Sequence, residues 1–79
     1  MDKFVVRITW EGHGYPMYVK RDPSQHDIAA EDERGNVILT RHVFDALCLP
    51  SEIEMMAEGS MLRMQMGDDF KGSIEVISL

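Results

Sequence analysis

Residues 3–21, KFVVRITWEGHGYPMYVKR, decide the fold of this chain. Apolar side chains occupy alternate positions of the first eight residues, at Phe4, Val6, Ile8 and Trp10. This is the period of a β-strand with one buried face. Two glycines and a proline then interrupt the pattern over residues 11–16, and the alternation resumes at residue 17. The segment predicts an antiparallel β-hairpin, residues 3–21, with a long loop at its tip.

Four more short strands follow from the same pattern further along the chain. Residues 28–30 and 37–39 predict a second hairpin, because Gly35 and Asn36 supply turn chemistry just before a β-branched run. A helix over residues 27–34 is the competing interpretation, since Ala, Glu and Arg favour helices. Residues 62–66 alternate between apolar and polar side chains, and residues 74–79 form the last predicted strand.

Two short helices are predicted between these strands. The first, about 41–48, begins after Thr40 as N-cap and ends before Pro50. Its apolar face would carry Val43, Phe44, Leu47 and Cys48. The second, about 51–58, begins with the Ser51–Glu54 capping-box pattern and ends at Gly59. Its apolar face would carry Ile53, Met56 and Ala57, with Met55 off that face.

The order of these elements predicts one α+β domain over residues 1–79. We expect a small antiparallel β-sheet of five or six strands, with both helices covering one face. A chain of 79 residues can bury only one modest core. Small domains of this size gain stability from a disulfide, a metal or a partner. One cysteine excludes an internal disulfide, so self-association or tight partner binding is expected.

Residues 35–49, GNVILTRHVFDALCL, resemble the strand–helix core of one half of an AbrB-type swapped hairpin. In that family a glycine precedes a β-rich run, and a short helix with an Ala-Leu pair follows. The resemblance covers about a fifth of the chain. Between Leu49 and Gly59, where that family has a tight turn, this chain has a predicted second helix, and the basic DNA-binding face is missing. No function is therefore carried over from this resemblance.

The charge of the chain is unevenly distributed. Residues 1–21 hold four basic residues against two acids, a net of +2, whereas residues 22–79 hold four against twelve, a net of −8. No basic stripe is available to neutralise phosphates, which disfavours direct binding of nucleic acid and of anionic membranes. The N-terminal residues do not form the apolar core of a signal peptide, and the single Cys48 suits a reducing compartment. We expect a cytoplasmic protein.

No catalytic or metal-binding pattern stands out in the sequence. The three histidines, His13, His26 and His42, show no spacing that pre-places two metal ligands on one element. Cys48 and Asp45 with a histidine would be a weak nucleophilic set, because flanking leucines raise the pKa of a thiol. We therefore expect no enzyme, no cofactor and no metal. An enzyme whose site is assembled from separate elements is the least favoured alternative.

The acids and one aromatic loop are the candidate binding residues. The predicted partner-binding acids are Asp22, Asp27, Glu31, Asp32, Glu33, Glu54 and Glu58. Trp10, His13 and Tyr15 bracket two glycines and would serve as an apolar anchor. The first hypothesis is a non-enzymatic acidic protein that binds and modulates or inhibits a protein partner with a basic surface, for example a nucleic-acid-binding one. Phage or mobile-element inhibitors, such as anti-CRISPR or anti-restriction proteins, are the analogous class.

Methionine is the last unusual feature. Five of the seven methionines lie within residues 55–66. Flexible thioethers can fill an irregular core, and they also suit adaptable binding surfaces, so both interpretations stay open. The second functional hypothesis is accordingly a small regulatory or assembly subunit that forms a homodimer through a sheet edge or the Met-rich strand.

Overall fold

The computed structural model describes residues 2–79, and it confirms the α+β class. Within this range four strands form one antiparallel sheet: β1 (Phe4–Trp10), β2 (Met17–Val19), β3 (Leu39–Thr40) and β4 (Gly72–Ser78). Their order across the sheet is β3-β2-β1-β4. One α-helix, α1 (Glu52–Met66), and one short 3₁₀ helix (Val43–Asp45) complete the described part. The expectation of five or six strands and two α-helices was therefore wrong in number.

The N-terminal hairpin is confirmed. β1 and β2 are antiparallel, with Ile8 opposite Met17 and Arg7 opposite Tyr18. The alternation along β1 places Val6 and Ile8 in the core, where both are fully buried. Gly12, in the connecting loop, has a φ of 89°, which side chains with a Cβ rarely adopt.

β1 also pairs with β4 along its whole length, from Phe4 opposite Ser78 to Trp10 opposite Gly72. Polar pairs mark the face of these strands that points away from the helix. Arg7 and Glu75 form an ion pair of 3.5 Å, and the Thr9 and Ser73 hydroxyls share a hydrogen bond of 2.8 Å. Such cross-strand pairs fix the register of the two strands. The last predicted strand is thus confirmed, and it lies beside the first.

A single helix replaces the predicted helix 51–58 and the predicted strand 62–66. The Ser51 hydroxyl accepts a hydrogen bond from the Glu54 amide at 3.2 Å, as the capping pattern predicted. The helix then continues through Gly59 because a stripe along it faces the sheet. That stripe consists of Met55, Gly59, Leu62 and Met66, at helical spacing. The helix ends at Gly67, which has a φ of 81°, and not at Gly59 as predicted.

The predicted apolar face of this helix was wrong. Ile53 is 80% exposed and Met56 is more than half exposed, whereas Met55 is fully buried. Met64, which the strand pattern placed inward, is 82% exposed. The methionines therefore divide between the core and the surface. The outward face of α1 is unusually apolar for a helix with one side in water.

The predicted helix 41–48 is also wrong. Only residues 43–45 are helical, and Phe44 is 87% exposed. The following residues are extended because their backbone groups bind two strands of the sheet. The Leu47 amide donates to the Val19 carbonyl at 2.8 Å, and Phe4 and Leu49 exchange hydrogen bonds of 2.8 and 3.1 Å. The strand–helix unit implied by the AbrB resemblance is therefore not formed here.

Residues 22–37 form an irregular excursion between β2 and β3. The expected hairpin is reduced to isolated bridges, Arg21 with Ala29 and Glu31 with Val37, so 28–30 is not a regular strand. The turn between residues 31 and 37 is confirmed, and Gly35 takes a φ of 79° there. The alternative of a helix over 27–34 is wrong, since this segment holds only turns and bridges.

One hydrophobic core joins these parts between α1 and one face of the sheet. Its fully or nearly buried members are Val6, Ile8, Val19, Val37, Leu47, Met55 and Leu62. Gly59 brings α1 close to two strands at once: a Cβ built on it would stand 3.6 Å from Ile74 and 4.0 Å from Val6. The helix therefore lies above the boundary between β1 and β4. Among residues 2–79, no helix has the length and apolarity needed to cross a membrane.

Candidate partner-binding site

Three acidic side chains from different segments converge on one open cleft beside α1. Asp22 begins the excursion, Glu31 lies in its middle and Glu58 projects from α1. Ile28 and Met61, both substantially exposed, give the cleft an apolar part. We call this set of five residues the acidic cleft. It combines carboxylates with exposed apolar surface, which is the composition of a binding surface for a basic partner.

Hydrogen bonds to the backbone hold the excursion against α1 and so build the cleft. The Val37 amide donates to Oε1 of Gln65 at 2.6 Å, and Nε2 of Gln65 donates to the Val37 carbonyl at 3.1 Å. On the other side, the Ala30 amide donates to the Lys20 carbonyl at 2.8 Å. Glu31 lies between these two anchored points. These hydrogen bonds of the excursion backbone, and not contacts of the Glu31 side chain, hold Glu31 near α1.

Glu58 is the most perturbed carboxyl of the cleft. Partial burial raises its pKa above the ordinary value of 4.5, and the negative charge of Glu31 raises it further. Both causes disfavour the ionised form of Glu58 in the free protein. A cation placed between Glu58 and Glu31 would reverse the second effect.

Two of the predicted binding acids have a structural role as well. Oδ1 of Asp32 accepts hydrogen bonds from the Arg34 and Asn36 amides, both at 2.9 Å. Oδ1 of Asp22 accepts from the Ser24 and Gln25 amides at 2.7 and 3.1 Å. These are side-chain turns of the kind that Asp favours. Asp32 thus shapes the excursion, and Asp22 both shapes it and lines the cleft.

The other predicted acids lie outside the cleft. Asp27 and Glu33 are exposed on the excursion, and Glu54 is exposed on the first turn of α1. Glu33 borders a second shallow depression together with Glu31, Asp32 and Arg34. The structure therefore brings together Asp22, Glu31 and Glu58, three of the seven predicted acids, and distributes the rest over the neighbouring surface.

The aromatic loop forms a row of rings at the hairpin tip. Trp10 lies 4.9 Å from His13 and 6.2 Å from Phe70, measured between ring centroids. His13 lies 6.1 Å from Tyr15 in an edge-on arrangement. The Arg41 guanidinium stacks on the Tyr15 ring at 4.0 Å, which is a cation–π contact. Trp10 also packs against the core, so part of its ring closes the core edge.

Sequence reasoning missed Ile28 and Met61 as parts of the site. Ile28 falls within the predicted strand 28–30, and Met61 lies between the predicted helix 51–58 and the predicted strand 62–66. The available signal was the run of helix-forming residues from Ser60 to Met66, which places Met61 one turn after Glu58 on the same flank. Gln65 was missed for the same reason, although it provides the link between α1 and the excursion.

Other chemistry has weaker support within residues 2–79. No group of three or more His, Cys, Asp or Glu side chains there is arranged to hold a metal ion. Cys48 is half-buried and free, and its thiol donates to the Ala46 carbonyl at 3.5 Å. This contact gives the thiol a hydrogen-bond acceptor, but a backbone carbonyl is not a base that could deprotonate it.

The chain was compared with known proteins on both sequence and structure. No protein-family model, curated protein or solved structure matches it significantly. The candidate site is therefore interpreted from its own residues.

Proposed function

We propose that this is a non-enzymatic, cytoplasmic interaction protein that binds a basic surface of a partner protein through the acidic cleft. The convergence of Glu31 and Glu58 carries the proposal. Burial and the negative charge of Glu31 raise the pKa of Glu58, and a cation placed between the two carboxylates would offset the repulsion. Residues 22–79, which supply all five residues of the acidic cleft, carry a net charge of −8, and such an excess steers basic partners toward the protein.

A lysine or arginine side chain is the group that fits the cleft. Its aliphatic stem can pack on Ile28 and Met61, while its charged end lies between the carboxylates. Such residues are abundant on proteins that bind nucleic acid, because they neutralise phosphates. An acidic protein that occupies them competes with nucleic acid for the same surface. Inhibitors that phages and mobile elements use against CRISPR or restriction complexes belong to this functional class.

The test uses two baits of equal charge in affinity purification from the native host. The first carries Glu31→Lys and Glu58→Lys in the acidic cleft. The second carries Glu11→Lys and Asp68→Lys, at exposed acids outside it. We expect the first bait to lose its partner and the second to keep it. Equal loss from both baits would reject the cleft, because only the total charge would then matter.

The purified pair gives a second test of the same proposal. Binding should weaken as salt rises through the range in which surface charges are screened. Excess duplex DNA should displace the protein from a nucleic-acid-binding partner. An affinity that neither salt nor DNA changes would reject charge as the basis of binding.

Regulatory or assembly activity as a homodimer remains the second candidate. The Met-rich strand named for it does not exist, since residues 62–66 are helical. The exposed edge of β4 favours the other route, pairing through a sheet edge.

A further inference from the structure

β4 is an edge strand, and no strand within residues 2–79 pairs with its outer side. It lies at the end of the sheet order, with β1 as its neighbour on one side. The Leu79 amide donates to the Lys3 carbonyl, and the Glu11 amide donates to the Lys71 carbonyl, so odd-numbered residues of β4 face β1. The amides and carbonyls of the even-numbered residues face outward. These residues are Gly72, Ile74, Val76 and Ser78.

Edge strands of natural proteins usually carry a device that blocks pairing, such as proline, an outward lysine or a very short length. β4 has seven residues, no proline and one charged residue, Glu75. That charge is already paired with Arg7 on β1. The edge therefore offers an extended ladder of donors and acceptors to another strand.

A groove between α1 and β4 opens onto the same edge. Met56, Ser60 and Arg63 of α1 line one wall, together with Glu52, and Ile74 and Val76 of β4 line the other. The groove lies on the opposite flank of α1 from Glu58 and the acidic cleft. This flank of α1 carries one basic side chain, Arg63, one acidic side chain, Glu52, and exposed apolar atoms.

We propose that a second copy of this chain pairs with the β4 edge. The two sheets then form one continuous antiparallel sheet of eight strands, with both α1 helices on the same face. Because α1 lies above the boundary of β1 and β4, its axis is displaced from β4 toward β1 by about half a strand spacing. With strands about 4.8 Å apart, the two helix axes lie about 10 Å apart. This is the distance at which packed helices meet.

Charge excludes one register of this pairing. The two copies are related by a two-fold axis, the dyad. A dyad beside Glu75 would place the two Glu75 side chains opposite each other, which is unfavourable. A dyad beside Ile74 places Glu75 opposite Ser73 of the second copy. Gly59 contacts Ile74, so the same dyad passes near Gly59 on the helices.

The Ile74-centred register also pairs the two helix flanks. At 1.5 Å per residue, Arg63 lies about 6 Å beyond Gly59 along the axis, and Glu52 lies about 10 Å before it. The dyad reverses the second helix, so its Glu52 comes within about 5 Å of Arg63 along the axis, and the long arginine side chain spans that offset. Met56 of each copy fills the space between. The surface is therefore self-complementary in hydrogen bonds and charge.

Sedimentation equilibrium of the full chain tests the proposal with a charge swap. Arg63→Glu should weaken the dimer by about tenfold or more, and Glu52→Arg should do the same. The double variant, with both changes, should recover most of the affinity. Arg34→Glu, at an exposed turn residue, is the matched control and should leave the dimer unchanged. Circular dichroism verifies that each variant is folded. A chain that stays monomeric at all concentrations, or a double variant without recovery, would overturn the proposal.

Hydrogen exchange of the unmodified chain gives a readout that needs no variant. The outward amides of Ile74 and Val76 should become protected as the concentration rises, while those of Glu75 and Ile77, already bonded to β1, stay protected throughout. A dimer that leaves the Ile74 and Val76 amides unprotected would use another surface. The proposal does not rest on the acidic cleft, and the Glu31 and Glu58 variants should dimerise normally.

Discussion

The carboxamide of Gln65 pairs with both backbone groups of Val37. It accepts a hydrogen bond of 2.6 Å from the Val37 amide and donates one of 3.1 Å to the Val37 carbonyl. The Gln65 side chain of α1 thus supplies Val37 with the two hydrogen bonds that a neighbouring strand would otherwise make. This link connects the helix to the segment that carries Glu31.

Gln65→Ala should lower the free energy of unfolding by about 1–2 kcal/mol, because two partly buried backbone groups lose their partner. The loss is measured by urea denaturation. Gln25→Ala is the control, since Gln25 is exposed and its hydrogen bonds, to Asp22 and Ile28, are made by its backbone and not by its carboxamide. If the two variants unfolded at the same urea concentration, the Gln65–Val37 link would have no energetic importance.

Glycine-to-alanine changes on α1 should have opposite signs at Gly59 and Gly67. The space at Gly59 admits a Cβ at ordinary contact distance, so Gly59→Ala should stabilise the protein by up to about 1 kcal/mol through helix propensity. Gly67 has a φ of 81°, and Gly67→Ala should destabilise by about 1 kcal/mol. Thermal unfolding compares the two. A loss at Gly59 would mean that α1 and β4 are packed more tightly than described.

Gly72→Ala should destabilise the protein strongly. A Cβ at this position would overlap the Thr9 carbonyl oxygen of β1. Relief requires a backbone shift in the β1–β4 pair, at a cost of about 1–3 kcal/mol. Gly14→Ala is the matched control, because Gly14 has open space around it and no positive φ. Urea denaturation of both variants should give a large loss at Gly72 alone, and equal stability would contradict the close approach.

Glu58→Gln should change how stability depends on pH. The folded state raises the pKa of Glu58, so folding favours its protonated form. The stability that this group contributes is fully present below the unfolded pKa and is lost as pH rises through the folded pKa. The glutamine variant should therefore be more stable than the parent at neutral pH, and the difference should vanish below about pH 4. A gain that persists at low pH would point to packing instead. Asp27→Asn, at an exposed acid, is the control.

Some of this fold could be predicted because the signal is local. The alternation of residues 3–10 resumes at residue 17, and the glycines and proline of residues 11–16 favour a turn between the two runs, so the hairpin follows from sequence alone. The α1 start is equally local, since Ser51 caps the Glu54 amide. These elements need no information from distant parts of the chain.

The errors arose where distant contacts outweigh local preference. Leu62, Met64 and Met66 alternate like a strand, but only the first and last face the sheet, one helical turn apart. Residues 46–49 could continue a helix, yet hydrogen bonds to Val19 and Phe4 hold them extended. Of the site, the acids were identifiable from composition. Their convergence depends on the excursion folding back onto α1, which no local pattern encodes.

The pairing of β1 with β4 has a consequence for how the protein folds during its synthesis. Thr9 and Ser73 are 64 positions apart, yet they are hydrogen-bonded neighbours. During translation, β1 and β2 emerge early and must wait for β4 before the sheet can be completed. Closing so long a loop slows folding, and until then an apolar strand edge stays open to other nascent chains. The interval between the synthesis of these two strands is therefore when the chain is most exposed to aggregation.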